Sequence, residues 1–461
     1  MQLMLGEHNI RISYWKAWRS REVALEYAKG SFGTAYRMLP QYLENLVVAN
    51  PGTVAEMHTS YDDAVGHKFK YMFLALGASI NGLKHMRKVI VVDGAHLRGK
   101  YVGCLLSASA QDGNYQVFPI AIGIVDGEND KAWEWFFNML LKFIPNSSEV
   151  VFVSDRHSSI YHGISKVYTA ARHCACILHL TRNVRTYFKT KNLGYLVGKA
   201  ARAFQLDEFY RAFNEIKTLD ASCAEYLIAI GLENWARAHF EGNRYNIMTS
   251  NVAETWNSVL REAREYPVLA LLEHIRAKLM TWFAERRIVK QGGNGRLTAR
   301  VKEIVETNFR NSGGMLVRMI NSMKFEVKDK DDSTYEVNLG EKYCTCFAFQ
   351  KLLIPCPHAI ASAIKAKVSI ESLVADFYTI DTLALAYAED IVPITNGAKA
   401  GGDPTQGVDM FPPASRRPPG RPRKSTILST GEIRMKTRRR KHACSRCKAA
   451  GHNKETCKVA I

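Results

Sequence analysis

Two short apolar runs that each close on an aspartate, KVIVVDG at 88–94 and EVVFVSD at 149–155, constrain the fold most. Runs of this length bounded by polar or turn residues read as buried strands. Between them, GCLLSASAQDG and QVFPIAIGIVDG read as two further strands, with Asp112-Gly113-Asn114 as their turn. DKAWEWFFNMLLKFI reads as a helix with Asp130 as its N-cap. SSIYHGISKVY reads as another helix and HCACILHL as a last strand. Over 88–180 the order is thus β-β-β-α-β-α-β.

That order is the order of a ribonuclease-H-like domain, in which acids at strand ends hold divalent metal. Asp93 and Asp155 stand at such positions. Two Mg²⁺ ions need several carboxylates converging from distant elements. Each acid also has a plain reading: Asp93-Gly94 as a turn, Asp155 as a helix cap. Residues 13–48 read as two amphipathic helices with Gly30 as a stop, followed by strand-like TVAEMHT and HKFKYMFLALGA. Residues 182–290 are mostly helical in period, and Gln291–Gly295 breaks the pattern. KFEVKD and TYEVNLG predict a hairpin at 324–340.

Ten cysteines are present, and six fall in two clusters that also contain His, which argues for zinc and a reducing compartment. Cys344-Thr345-Cys346 is followed after nine residues by Cys356-Pro357-His358. Two close pairs can clamp a tetrahedral ion from opposite sides, the first on the hairpin and the second at the start of a helix near His358. The second cluster, Cys444, Cys447, His452 and Cys457, has the spacing of a CCHC zinc knuckle, with Gly451 before the His.

Of the net charge of +19, residues 416–458 hold 15 − 2 = +13. A tail of one sign most often meets nucleic acid, by releasing counterions from phosphates. Within it Arg417, Arg421, Arg423 and Lys424 surround a Gly-Arg-Pro core like that of an AT-hook, a form suited to the A·T minor groove, and equally to a nuclear-import signal. Arg438, Arg439, Arg440 and Lys441 precede the knuckle as further DNA-binding candidates. Seven of the fourteen prolines lie between Pro393 and Pro422, which reads as linker. No run of eighteen apolar residues occurs and MQLMLGEHNIRIS lacks the pattern of a secretory signal, so no membrane partner is expected.

The CxCx₉CxH cluster within YCTCFAFQKLLIPCPHAIA resembles the SWIM zinc finger. VVDGAHLRGKYVGCLLSASAQDGNYQVFPIAIGIVDGENDKAWEWFF, FVSDRHSSI, RHCACILHL and TSNVAETWNSVLREARE together resemble the plant Mutator-like element (MULE) transposases. The resemblance implies an α/β fold with a ribonuclease-H-like core and a helical insertion, a helical N-terminal prelude, and small zinc-binding modules. It divides the chain into a prelude with leading strands at 1–87, a core at 88–290 with its insertion at about 182–250, a SWIM finger at 320–370, a basic linker at 393–430 and a knuckle at 440–461. It further implies a catalytic triad of Asp93, Asp155 and Glu254 holding Mg or Mn, with Cys176 and His179 supporting, and two structural zinc sites. Glu254 also fits a capping box begun by Asn251.

The function implied is metal-dependent DNA cleavage and joining in the nucleus, by a homo-oligomer if active. A domesticated DNA-binding regulator, or an inactive copy retaining zinc, is the alternative. Members of that family commonly carry a zinc-cluster DNA-binding domain ahead of the prelude. The first cysteine here is Cys104, so recognition of element ends by such a module is not expected.

Overall fold

The computed structural model describes residues 13–64, 66–288, 295–394 and 410–413. The calls on Gln291–Asn294, on most of the Pro-rich linker, on the basic stretch and on the knuckle lie outside these residues.

The chain opens with helices Tyr14–Lys29 and Phe32–Ala49. Gly30 ends the first with φ +92°, a conformation that strains any residue with a Cβ. A seven-stranded sheet follows. Its strands are β1 (Val54–Asp62), β2 (Gly66–Ala75), β3 (Val89–His96), β4 (Cys104–Gln111), β5 (Val117–Val125), β6 (Val151–Ser154) and β7 (Arg172–Ala175), in the order β1-β2-β5-β4-β3-β6-β7. β1 to β5 pair antiparallel, whereas β3-β6 and β6-β7 are parallel. β4 and β5 are buried almost throughout, as central strands covered on both faces should be. The β4–β5 turn forms as its residues predict: Asp112 Oδ1 accepts from the amides of Asn114 and Gln116 at 2.9 and 2.8 Å.

Helix Asp130–Leu141 buries Trp133, Phe136, Phe137 and Leu140, one stripe at helical spacing, and packs beside helix Ser158–Val167. Its cap is Asn129, one residue before the expected Asp130, with Asn129 Oδ1 accepting from Ala132 N at 3.1 Å. Helix Asn251–Val259 packs against β3, β4 and β5, and the long helix Val268–Ile288 packs on Phe32–Ala49.

HCACILHL departs from expectation. Only its first residues belong to β7, and helix Ile177–Tyr187 starts at once. β7's partner β6 stops at Ser154, so the ladder has nothing to pair with beyond Ala175. The apolar Ile177, Leu180 and Val184 are then spaced for a buried helical face. From here a helical insertion with its own core runs through Leu193–Arg202, Leu206–Leu219, Ala221–Ala229 and Leu232–Trp235.

After helix Ala299–Ser312, a second sheet is built from β8 (Leu316–Met319), β9 (Lys324–Lys328), β10 (Thr334–Asn338) and β11 (Tyr343–Cys344), in the order β11-β10-β9-β8. Helix Pro357–Ala366 packs on it around a separate core. The expected hairpin is β9-β10, widened by β8 and β11. Inside the Pro-rich segment, Phe411 exchanges backbone hydrogen bonds with His67 and Phe69 of β2 at 2.8 and 2.9 Å, and Met410 is buried. That segment therefore holds an anchor point. Among the described residues, no helix is long and apolar enough to cross a membrane.

Candidate metal centres

In the small C-terminal unit, the donor atoms of Cys344, Cys346, Cys356 and His358 all lie within 4.8 Å of one another. β11 presents Cys344, the bend after it presents Cys346, and Cys356 caps the helix on which His358 sits. His358 Nδ1 lies 3.6 Å from Cys344 Sγ and 4.0 Å from Cys356 Sγ. Its Nε2 faces Asp329 Oδ2 at 3.3 Å, which favours the proton on Nε2 and frees Nδ1 to ligate. The imidazole stacks on Tyr335 with centroids 4.0 Å apart.

The Cys346 thiol is pushed far down by hydrogen bonds from Cys344 and then Cys356, while those two are pushed up. A Cys₃His donor set of this kind suits structural zinc.

The acids gather at one edge of the large sheet. In the parallel β3-β6 pair Val91 stands opposite Val153. Asp93 follows two residues along β3, Asp155 comes just after β6 ends at Ser154, and Asp93 feels its charge. Asp93 is not in a turn, since β3 continues to His96. Asn257 Nδ2 donates to Asp93 Oδ2 at 2.7 Å, and Asn257 lies three residues after Glu254 on one helix. Burial first, then the charge of Asp155, raises Asp93 to about 7 against the Asn257 hydrogen bond, and Glu128 and Glu254 push the same way.

The capping box expected at Asn251 does not form. Ser250 is the cap residue, and its hydroxyl donates to Glu254 Oε1 at 2.8 Å. Asp93 thus feels, across one acid patch, the charges of Asp155, Glu128 and Glu254. Among the described residues, however, the three acids of the expected triad do not bring their carboxylate oxygens within the 4.8 Å that the Cys/His quartet meets, and Glu254 meets that limit with Cys176 and His179 instead.

Two further residues belong to that patch and were not singled out in the sequence. Glu128 enters from the loop after β5 and accepts from Trp133 Nε1 at 3.3 Å. It lies against Gly94, where a Cβ would come within 2.5 Å of Glu128 Oε1. Burial raises Glu128, opposed by His157 and reinforced by Asp155. Asn257 is the other: it is 6% exposed and its Oδ1 has no hydrogen-bond partner. The GEND and ETWN segments gave no signal beyond Glu and Asn as oxygen donors. Carboxylates crowded together beside an orphaned amide oxygen fit a hard cation such as Mg²⁺ or Mn²⁺.

Cys176 and His179 lie beside Glu254, the donor atoms of the three within 4.8 Å of one another. Cys176, expected in a strand, caps helix Ile177–Tyr187, and His179 sits in its first turn. Burial alone would push the Cys176 thiol up; hydrogen bonds with His179 and Ser250 outweigh it and push the thiol down. His179 rises to about 9, through the hydrogen bond with Cys176 first, against burial.

A family model described as the MULE transposase domain matches residues 89–183, and one described as the SWIM zinc finger matches residues 335–367. The chain therefore joins a transposase-type segment, which holds Asp93 and Asp155, to a finger whose matched span holds all four residues of the Cys/His quartet. No curated protein matches the chain.

Proposed function

We propose that the chain is a transposase of the MULE type that cuts and joins DNA strands with divalent metal, on a ribonuclease-H-like core. The observation that carries this reading is the hydrogen bond from Asn257 to Asp93, which ties the helix bearing Glu254 to the strand whose parallel neighbour ends at Ser154, next to Asp155. The run β5-β4-β3-β6-β7, three antiparallel strands followed by two that run parallel to the third, β3, supports the ribonuclease-H-like core.

Asp93, Asp155 and Glu254 would hold the ions, with Glu128 and Asn257 as neighbouring oxygen donors. Bound Mg²⁺ or Mn²⁺ supplies Lewis acidity to the attacking and leaving oxygens of an in-line displacement. Asn257 orients one oxygen of Asp93, and Ser250 orients Glu254. Gly94 leaves room for Glu128. The SWIM-type finger, the basic stretch at 416–458 and the knuckle residues Cys444, Cys447, His452 and Cys457 would hold DNA, mainly by charge, and the same basic stretch would direct the protein to the nucleus.

The test is cleavage and strand joining of duplex DNA carrying the ends of the element that surrounds the gene, with Mg²⁺ or Mn²⁺. Asp93→Asn and Asp155→Asn should each reduce product by on the order of 10²–10³-fold while DNA binding persists. Product formation equal in wild type and both variants would overturn the reading. DNA binding without any cleavage by wild type would favour a domesticated regulator.

A further inference from the structure

Cys176, His179 and Glu254 place their donor atoms within 4.8 Å of one another, the same limit met by the Cys/His quartet. We infer that these three residues form a site for zinc or a similar borderline divalent ion, which shares Glu254 with the acid patch and has water in the open fourth position. The inference does not depend on the transposase reading.

The geometry parallels the finger point by point. In both places a cysteine is the N-cap of a helix and a histidine follows in the first turn: Cys356 with His358, Cys176 with His179. A thiolate there gains from the positive end of the helix dipole. In both, a backbone amide donates to the sulfur: Ala359 N to Cys356 at 3.4 Å, Ser250 N to Cys176 at 3.2 Å.

His179 Nδ1 lies 3.9 Å from Glu254 Oε1, too far for a hydrogen bond. Tetrahedral bonds of roughly 2.0–2.3 Å separate neighbouring ligands by about 3.3–3.8 Å. The pair is thus spaced like the Cys–His pairs of the finger, at 3.6 and 4.0 Å. Ser250 Oγ, 2.8 Å from Glu254 Oε1 and 3.4 Å from His179 Nδ1, steadies both.

The two sites differ in access. His179 and Glu254 keep 23% and 32% of their side-chain surface, whereas the His358 side chain keeps 9%. Three protein ligands with a fourth position left to water is the arrangement of a catalytic-type zinc site rather than a sealed structural one. Its position adds a consequence. Cys176 and His179 stand where the helical insertion leaves the core and Glu254 where the chain has returned, so one ion would clip both ends. It would also hold one oxygen of a carboxylate that faces the acid patch.

The experiment is zinc stoichiometry on the full chain after exhaustive dialysis, by elemental analysis, with cobalt substitution read in the thiolate charge-transfer band. Cys176→Ser should lose one equivalent relative to wild type, and His179→Gln should lose the same one. The band should fall by the share of a single thiolate. Far-ultraviolet circular dichroism identifies a variant that fails to fold, and the other variant then decides. Equal zinc in wild type and a folded variant would overturn the site. DNA cleavage is not the readout, so failure of the site and failure of the transposase reading remain distinguishable.

Discussion

Asp93 shows how a single carboxylate feels its neighbourhood. Its folded-state pKa of about 7 lies above the ordinary 3.8. Below about pH 4 both folded and unfolded chains hold the proton. Between 4 and 7 the unfolded chain releases it while the folded chain retains it, so stability falls as pH rises across this window. Metal-free protein should therefore lose more thermal stability between pH 4 and 8 than Asp93→Asn does, a difference that paired melting curves would expose. An equal loss would mean that the patch does not confine this charge. At the finger, Asp329 orients His358. Asp329→Ala should weaken zinc binding roughly 10–100-fold in chelator competition without changing its stoichiometry.

Elements set how these residues meet. Helix Asp130–Leu141 fixes the loop that carries Glu128, through Trp133 below it and through Phe137, which stacks on Trp133 with centroids 5.6 Å apart. Phe137 is fully buried and also packs on Phe152 of β6. Phe137→Ala should cost about 3–5 kcal/mol in urea unfolding. A cost under about 1 kcal/mol would mean that the helix is not locked to the sheet. The stripe behind this packing is legible in the sequence, because period 3.6 survives in WEWFFNMLL. HCACILHL is not legible in that way, since a buried apolar run of eight suits a strand or a helix. The end of β6 decided it.

At the scale of the molecule, Arg87 joins three parts of the chain. It is 3% exposed and lies over the rings of Tyr115, Tyr245 and Tyr378 at 5.2, 5.6 and 5.2 Å. Its guanidinium donates to Gln111 Oε1 at 2.9 Å and to Asn246. One side chain thus ties the sheet to the end of the insertion and to the segment after the finger. Arg87→Met should cost about 3 kcal/mol in denaturant and expose the 235–250 and 370–380 segments to limited proteolysis together. Unchanged cleavage at either segment would show that the link is not mechanical. The charge of the whole molecule is as uneven as its packing, with 13 of the net 19 positive charges at 416–458. Deleting 416–461 should lower DNA affinity and flatten its dependence on salt, because the slope counts neutralised phosphates. The same slope for full chain and truncation would remove the tail as the electrostatic anchor.

The sequence by itself determined the Cys/His quartet, the strand runs other than HCACILHL, and the separation of a basic tail from a mildly charged body. Each of these rests on neighbours in the chain: Cys344 to His358 runs from the end of β11 through the short helix Ala348–Leu352 to the start of the next helix, and strand runs depend on local apolar pattern. Only the tertiary structure decided that Glu128 reaches Gly94, that Asn257 bonds Asp93 across 164 residues, and that Cys176 and His179 face Glu254 across the insertion. No local pattern marks such residues, because a carboxylate or amide far along the chain gains its role only when strand pairing and helix packing bring it to one edge of the sheet.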